Sequence, residues 1–512
     1  MRDTILFFYP DARARKYMPP YAFLYLERVI RDLPVRVVII DERLCPEWEE
    51  EIRKIAPNVL LAGISVMLGN QVERAKTVSC ILKKHGGFPV LWGGWFPTWQ
   101  PEVCVKEDYV DYVILGQGER PFAELVRRMV AFTLQQNPLE VSDIGGLGYK
   151  QLQLPVINKN LSYCHFSEYP AVNFDLVDIR QYVDRSGDGR AVFHYFASAG
   201  CPNRCNFCFL PKGWKGNWFP KSPEVVLDEI AYIFSKVPEI NYLIFEDLNF
   251  FVDREFVLNI CKGLIARGII TQWCAAAHVS HFLKTFSPED ITLIKQSGCH
   301  TVYCGGESGD QRILDKLNKN LLLNETVRLD TLLAKHDIVF SLSFMVLFPH
   351  QPDRDLHATL RFVMKLMRIN KNLLFIMTSY MPTMRNAYYA SAVEQGFNIP
   401  ETVDGFIDMV QGRLSIPWHT PRHHRMMKYY GMFYFRFFKP KHIKNMVGWK
   451  KVTEKLIYYT FGISIYLRFL FGITAFPLAG WLYCNVFRRK DKVVGFVTAQ
   501  YEETVVFQLQ NL

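Results

Sequence analysis

Three cysteines, Cys201, Cys205 and Cys208, fall within eight positions of one another in the stretch AGCPNRCNFCF that begins at Ala199. Three thiolates in one short loop can hold three irons of a four-iron cluster and leave the fourth iron without a protein ligand. A closed structural zinc site takes four ligands, usually as two separated pairs. No second CxxC pair follows, and Cys274 and Cys304 are the thiols that would have to complete such a site. Further polar residues stand at the ends of apolar runs: Glu246 and Asp247 in FEDLNFF, His278 after QWCAAA, and Glu307 and Ser308 in GGESGDQ. Glu246 and Asp247 can orient a substrate or an ammonium group, or cap the next helix. Glu307 and Ser308 can bond ribose hydroxyls or open a helix. A histidine in the place of His278 is a general acid or base, or simply a satisfied polar group.

The elements that would position these residues come in two series. Over the first 130 or so positions, TILFFYP, VRVVIID, VLLAGISVM, FPVLWGG and YVDYVILGQGE alternate with helix-length amphipathic segments. Continuous apolar strands separated in this way predict a doubly wound parallel sheet, with ligands outside the carboxyl ends of the strands. Residues 136–190 lack periodicity and are expected to form a linker with a small hairpin. From residue 191 to about 400 six further strand candidates, VFHYFASAG, NYLIFEDLNF, QWCAAA, TVYCGGES, VFSLSFMVLF and LLFIMTSYMP, are each followed by a helical pattern. Six successive βα units predict a partial parallel barrel, an α/β domain with its site at the strand ends. The cysteine loop then follows the first barrel strand.

At that loop the sequence resembles the radical S-adenosylmethionine (SAM) superfamily, whose CxxxCxxC signature is spelled here by Cys201, Cys205 and Cys208, with Phe207 at the aromatic position before the last cysteine. The resemblance implies a [4Fe-4S] cluster on those three cysteines, with the amino and carboxylate groups of SAM on the open iron. It implies reductive cleavage of SAM to a 5′-deoxyadenosyl radical, with Glu246, Asp247, Glu307 and Ser308 around cofactor and substrate. The N-terminal succession GISVML, GGWFPTWQPE and DYVILGQGERPFAEL looks like the cobalamin-binding domain of cobalamin-dependent members, over residues 1–135. Close backbone approach to a corrin needs small residues, here Gly93, Gly94, Gly116 and Gly118. Ser65, Thr98 and Glu119 would complete the cofactor's polar surroundings. One position departs from the pattern: where DxHxxG would offer histidine to cobalt, this chain reads Asp41, Glu42, Arg43, and a guanidinium cannot ligate a metal.

The resemblance thus predicts a methyltransferase that uses the cluster, SAM and methylcobalamin to methylate an unactivated carbon. The competing expectation is an oxidative cyclase or carbon–carbon coupling enzyme that makes the same radical without methyl transfer. Either would need an electron donor such as flavodoxin or ferredoxin.

Charge locates the remaining expectation. Between Val410 and Lys490 fifteen Lys or Arg accompany a single acid, Glu454, so this stretch carries +14 while the rest of the chain carries −4. Basic residues mixed with aromatics could stack single-stranded nucleic acid. The uncharged run from Phe469 to Phe487, flanked by Arg468 and RRK, fits a membrane-surface or re-entrant element better, the alternatives being a buried helical cap and a transmembrane helix, which Gly472, Pro477, Gly480 and Asn485 disfavour. Residues 401–512 are therefore expected to form a basic, aromatic-rich, mainly helical region, touching a membrane surface rather than nucleic acid. A lipid-soluble small-molecule substrate would suit it. With no secretory pattern at the N-terminus and no disulfide framework among twelve cysteines, the expected compartment is the cytosol, at the inner face of the cell membrane.

Overall fold

The computed structural model describes residues 2–11, 18–135, 138–185, 189–210, 214–350, 352–370, 372–382, 389–411, 416–435, 449–482 and 484–485. The first sheet contains β1 (Thr4–Tyr9), β2 (Arg36–Asp41), β3 (Val59–Ser65), β4 (Val90–Gly93), β5 (Tyr112–Ile114), β6 (Leu147–Gln151) and β7 (Leu154–Ile157). Its order is β2-β1-β3-β4-β5-β6-β7, with β1 to β5 parallel and β6 and β7 antiparallel. The central strand β3, VLLAGIS, is buried at every position because helices cover both faces of the sheet. The hairpin expected within 136–190 is β6 and β7, and it extends the first sheet at the β5 edge.

The second sheet contains β8 (Asp184–Arg185), β9 (Ala191–Tyr195), β12 (Tyr242–Phe245), β13 (Gln272–Ala277), β14 (Cys299–Glu307), β15 (Val339–Val346) and β16 (Leu374–Ser379). From β9 to β16 its six long strands are parallel and in chain order, with β8 antiparallel at the β9 edge. Between β9 and β12 the chain makes a separate antiparallel ribbon, β10 (Ser198–Cys201) with β11 (Asn217–Pro220), which carries the cysteine loop. Helix starts follow local chemistry: Ser222 caps Pro223–Lys236 by accepting from Val225 N, and Asp253 caps Arg254–Ala266 by accepting from Phe256 N.

After β16 the chain returns to the first domain. Helix Val403–Val410 packs on helix Asn70–His85, with Phe406 against Phe96 at 5.1 Å and an ion pair between Lys76 and Asp404 at 2.6 Å. Helix Trp449–Phe471 then packs on the barrel helix Pro352–Ile369, while Leu478–Leu482 packs on the segment Tyr430–Tyr434 that continues helix Pro421–Tyr429. Among the described residues no helix is long and apolar enough to cross a membrane. The basic run RRK at 488–490 lies outside the described residues.

Candidate active site

The cysteine loop is anchored at both ends. Asp247, at the end of β12 and 2% exposed, accepts hydrogen bonds from Ala197 N at 3.0 Å and from the Ser198 hydroxyl. Burial pushes its carboxyl up to about 6. Asp247, expected among the catalytic residues, is thus spent on positioning the ribbon that leads to Cys201. On the other side Asn206 donates from its backbone to Leu317 O and from its side chain to Lys316 O, both at 2.8 Å, and Asn318 donates to Arg204 O at 3.1 Å.

Cys205 is buried and Cys201 and Cys208 half-buried. Burial pushes the Cys205 thiol up to about 11 and also raises Cys208. Among the described residues no three His, Cys, Asp or Glu side chains are already gathered around one point. The donor set nevertheless fits an iron–sulfur cluster: three thiols on one clamped loop, each free of a disulfide, in a setting that a metal must deprotonate to bind.

Polar groups converge from the neighbouring strand ends. Glu307 closes β14 at φ 54° and makes a buried ion pair with Lys319 at 2.8 Å. Lys319 also lies 5.9 Å from the Phe207 ring. The pair occupies the space a side chain at Gly305 would take, since a Cβ there would sit 2.0 Å from Glu307 Oε1 and 2.7 Å from Lys319 Nζ. His278 follows β13 and its Nε2 meets Lys319 O at 2.7 Å; burial lowers its pKa to about 4, so the ring is neutral at pH 7. Among the described residues its buried Nδ1 has no hydrogen-bond partner, nor do the two amide atoms of Asn249, which follows β12. Unsatisfied buried groups each cost about 1–3 kcal/mol. A polar ligand bound at these strand ends would relieve them, which fits SAM.

Of two residues expected to touch cofactor, Ser308 is held inside the protein and Glu246 is half-buried. Ser308 is fully buried, donates to Asp355 Oδ1 at 2.6 Å and accepts from Asp310 N at 3.0 Å, so its hydroxyl does not face a ribose. Glu246 meets His194 Nδ1 at 2.7 Å and keeps a partly exposed carboxylate.

At the strand ends of the first sheet, Ser65 and Gly93 stand side by side on β3 and β4. Gly94 adopts φ 105°, where a Cβ would press within 2.9 Å of Val66 O, so this turn requires glycine. Gly116 and Gly118 follow β5 as expected. Thr98 is otherwise engaged: its hydroxyl donates to Gly94 O at 2.7 Å and accepts from Gly116 N at 3.0 Å, tying the two turns together. Glu119 is corrected outright, being buried in an ion pair with Arg28 at 3.0 Å. Arg43 donates to Asp41 and to Met18 O and stacks 4.3 Å over Tyr9, which rules it out of any cobalt contact. The turn after β4 reaches the cysteine loop, Trp95 lying 5.1 Å from Phe209 and 6.1 Å from Trp214. Among the described residues, the buried indole N–H of Trp214 finds no acceptor there, nor does that of Trp99 at the end of helix Trp95–Trp99. Small backbone turns and spare donors at this meeting of domains fit a corrin.

Residues 195–363 match the Radical SAM superfamily and residues 11–126 match the B12 binding domain. The chain is a B12-binding radical SAM enzyme. A radical SAM domain works with SAM and a [4Fe-4S] cluster and a B12 domain with cobalamin, which sets this enzyme's three cofactors. The radical SAM enzyme is similar to an uncharacterized methyltransferase of Pyrococcus horikoshii, 26% identical over 362 residues covering 68% of this chain and 73% of the relative. It is also similar to the anaerobic magnesium-protoporphyrin IX monomethyl ester cyclase of Synechocystis sp., 20% identical with 68% of each chain covered. Among solved structures, its fold matches the radical SAM methyltransferase TsrM from Kitasatospora setae, with a TM-score of 0.64 at 16% identity over 78% of this chain and 80% of that one. It matches the cobalamin-dependent radical enzyme OxsB with a TM-score of 0.67 at 15% identity over 99% of this chain and 76% of that one.

Sequence reasoning passed over Lys319 and Asn249. Asn249 lay in plain view two residues past Asp247 in FEDLNFF, and Lys319 in LNKN, but neither spacing points to a partner until β12, β13 and β14 are side by side.

Proposed function

We propose that this enzyme methylates an unactivated carbon of a small, lipid-soluble molecule. The observation that carries the reading is the contact of Trp95 with Phe209 and Trp214, which joins the B12-binding turn to the cysteine loop at 5.1 and 6.1 Å. When bound, the cluster and SAM supply a 5′-deoxyadenosyl radical that removes a hydrogen atom, and cobalamin supplies the methyl group. Cys201, Cys205 and Cys208 hold the cluster. Asn249, His278 and the Glu307–Lys319 pair present hydrogen bonds and charge to SAM; because Nε2 of the neutral imidazole donates to Lys319 O, its Nδ1 is an acceptor. Phe207 packs beside Lys319 and narrows access of water to the loop. Gly93, Gly94, Gly116 and Gly118 let backbone approach the corrin, and Ser65 offers it a hydroxyl. Asp247 and Asn206 keep the loop in register without touching the reacting atoms.

An electron donor such as flavodoxin or ferredoxin would reduce the cluster. The proposed place of action is the cytosol at the inner face of the cell membrane, where a lipid-soluble substrate is within reach. A second reading, oxidative ring closure without methyl transfer, is favoured by the similarity to the Synechocystis cyclase.

Anaerobic purification with cobalamin supplementation, followed by metal and product analysis, tests both. Iron near four and cobalt near one per chain, with 5′-deoxyadenosine and S-adenosylhomocysteine both formed from SAM, is the expected result. 5′-Deoxyadenosine without S-adenosylhomocysteine moves the assignment to the cyclase reading. Colourless protein that cleaves no SAM, or a Cys205→Ala variant that cleaves it as well as the parent, overturns both.

A further inference from the structure

The C-terminal helix Trp449–Phe471 is apolar on two opposite sides, and among the described residues only one of them is covered. Ile465 and Phe469 are buried against Phe435 and the barrel helix Pro352–Ile369. On the other side Leu456, Ile463, Tyr466 and Phe471 face outward, Ile463 at 77% exposure, and the following turn adds Phe476 at 88% and Trp481. From Leu456 to Phe471 no described outward-facing residue is charged. Arg468, the one cation in that interval, turns back to Ala475 O at 2.6 Å and lies over the Tyr434 ring. An apolar helix face of this length in contact with water is unstable unless something covers it.

The charges stand at its border. Arg361, Lys365 and Arg368 form an exposed stripe at i, i+4 and i+7 along the barrel helix. Arg368 donates to Leu470 O at 2.8 Å, and the stem of Arg361 lies against Gly472. None of the three makes an ion pair among the described residues. At the tip, Arg422, His357 and Thr474 line a cavity of about 260 Å³ beside Phe476. His357 Nδ1 and the Thr474 hydroxyl are 2.8 Å apart there.

We propose that the outward side of Trp449–Phe471, continued by Phe476 and Trp481, docks on an anionic phospholipid bilayer. The apolar side chains enter the headgroup–acyl boundary, Tyr466 and Trp481 sit at the level of the headgroups, and Arg361, Lys365, Arg368 and Arg422 meet lipid phosphates. A cationic border around an uncharged aromatic and aliphatic face is the complement of such a surface, whereas a second copy of this chain would set like charges against each other. The proposal deepens the membrane clause of the proposed function and is independent of the chemistry at the cysteine loop.

The test is flotation of the full, cofactor-loaded chain with vesicles of phosphatidylcholine, alone or with about a third phosphatidylglycerol. The expected result is binding to the anionic vesicles that weakens at least about tenfold without phosphatidylglycerol or in about 0.5 M salt. Ile463→Ser with Phe476→Ser should cut binding at least about tenfold. Arg361→Gln, Lys365→Gln and Arg368→Gln together should cut it about a hundredfold on anionic vesicles only. Both variants should keep the parent's melting temperature and 5′-deoxyadenosine formation. Absence of flotation, or flotation that neither variant changes, overturns the proposal. So does a dimer in light scattering that Ile463→Ser makes monomeric, which would assign the face to a second copy. Binding gained only after removing residues beyond 485 would assign it to the chain's own C-terminus and also overturn it. Failure of docking with SAM cleavage intact leaves the methylation reading standing, and loss of SAM cleavage with docking intact does the reverse.

Discussion

Glu307 and Lys319 share a pocket of space that exists only because residue 305 has no side chain. A buried ion pair of this kind is marginal in net stability but strongly destabilising when one partner is displaced. Gly305→Ala is therefore expected to lower 5′-deoxyadenosine formation at least about tenfold and to destabilise the protein by about 1–3 kcal/mol through forced repacking. Anaerobic turnover beside a urea melt checks it, and an alanine variant with parental turnover would remove the pair from the site. At this scale the sequence was informative where chemistry is local: CxxxCxxC puts three thiols on one short loop, and GGES marks the end of a strand. It was silent where chemistry is shared between strands. Lys319 is twelve residues from Glu307 across a helix, and the two orphaned groups at Asn249 and His278 become a pair of interest only through the β12–β13 alignment. Glu119 and Thr98 were misread for the same reason, since polar residues in a glycine-rich turn look alike whether they face a ligand or, as here, Arg28 and the neighbouring turn.

Elements record periodicity, and there the sequence was nearly complete: four of the six barrel strands lie inside the expected segments, β9 and β14 begin one and two residues before theirs, and each apolar run of the first domain became a parallel strand. The β6–β7 hairpin was legible as a hairpin but not as part of the first sheet, because two-residue turn chemistry says nothing about which edge a hairpin joins. Burial of polar groups within elements was equally hidden. Asp330, in helix Leu323–Lys335, is fully buried; Oδ1 accepts from Asn370 Nδ2 at 2.7 Å while Oδ2 has no partner among the described residues. Burial pushes its carboxyl up to about 7, against about 3.9 in an unfolded chain. The folded state thus favours the protonated form, so the stability this group contributes is fully present below about pH 4 and is lost as the pH rises through 7. Between about pH 5 and 8 that loss amounts to roughly 2–3 kcal/mol. Asp330→Asn, which keeps an acceptor for Asn370, should remove this share of the slope, leaving the parts due to Asp355 and Asp247, whose carboxyls burial also pushes up, to about 7 and about 6. Urea melts of parent and variant at the two pH values decide it, and parallel slopes would show that Asp330 ionises freely in the folded protein.

The whole molecule is built so that its two α/β domains do not stand alone. One apolar core contains Val72 and Phe96 of the first domain, Ile313 and Phe348 of the barrel, and Phe406, Met409 and Trp418 from the returning chain. Nothing in the composition of residues 401–418 separated them from the basic tail that follows, because membership of a distant core leaves no local period. The consequence is mechanical: the distance between the cobalamin-binding turns and the cysteine loop is set by a segment about two hundred residues downstream of that loop. Phe406 is fully buried against Phe96, and Phe→Ala at such a site costs about 3–5 kcal/mol. If the returning segment holds the domains together, the parent chain should unfold in one calorimetric transition. In Phe406→Ala that transition should split, the first domain melting earlier while the barrel stays near its original temperature. The variant should also still bind iron and cleave SAM but retain less cobalamin through gel filtration, since the cysteine loop is built within the barrel whereas the proposed corrin site lies where Trp95 of the first domain meets Phe209. A single transition merely shifted to lower temperature, with iron and cobalt lost in proportion, would instead mean that the domains fold as one unit whose cohesion does not depend on this helix.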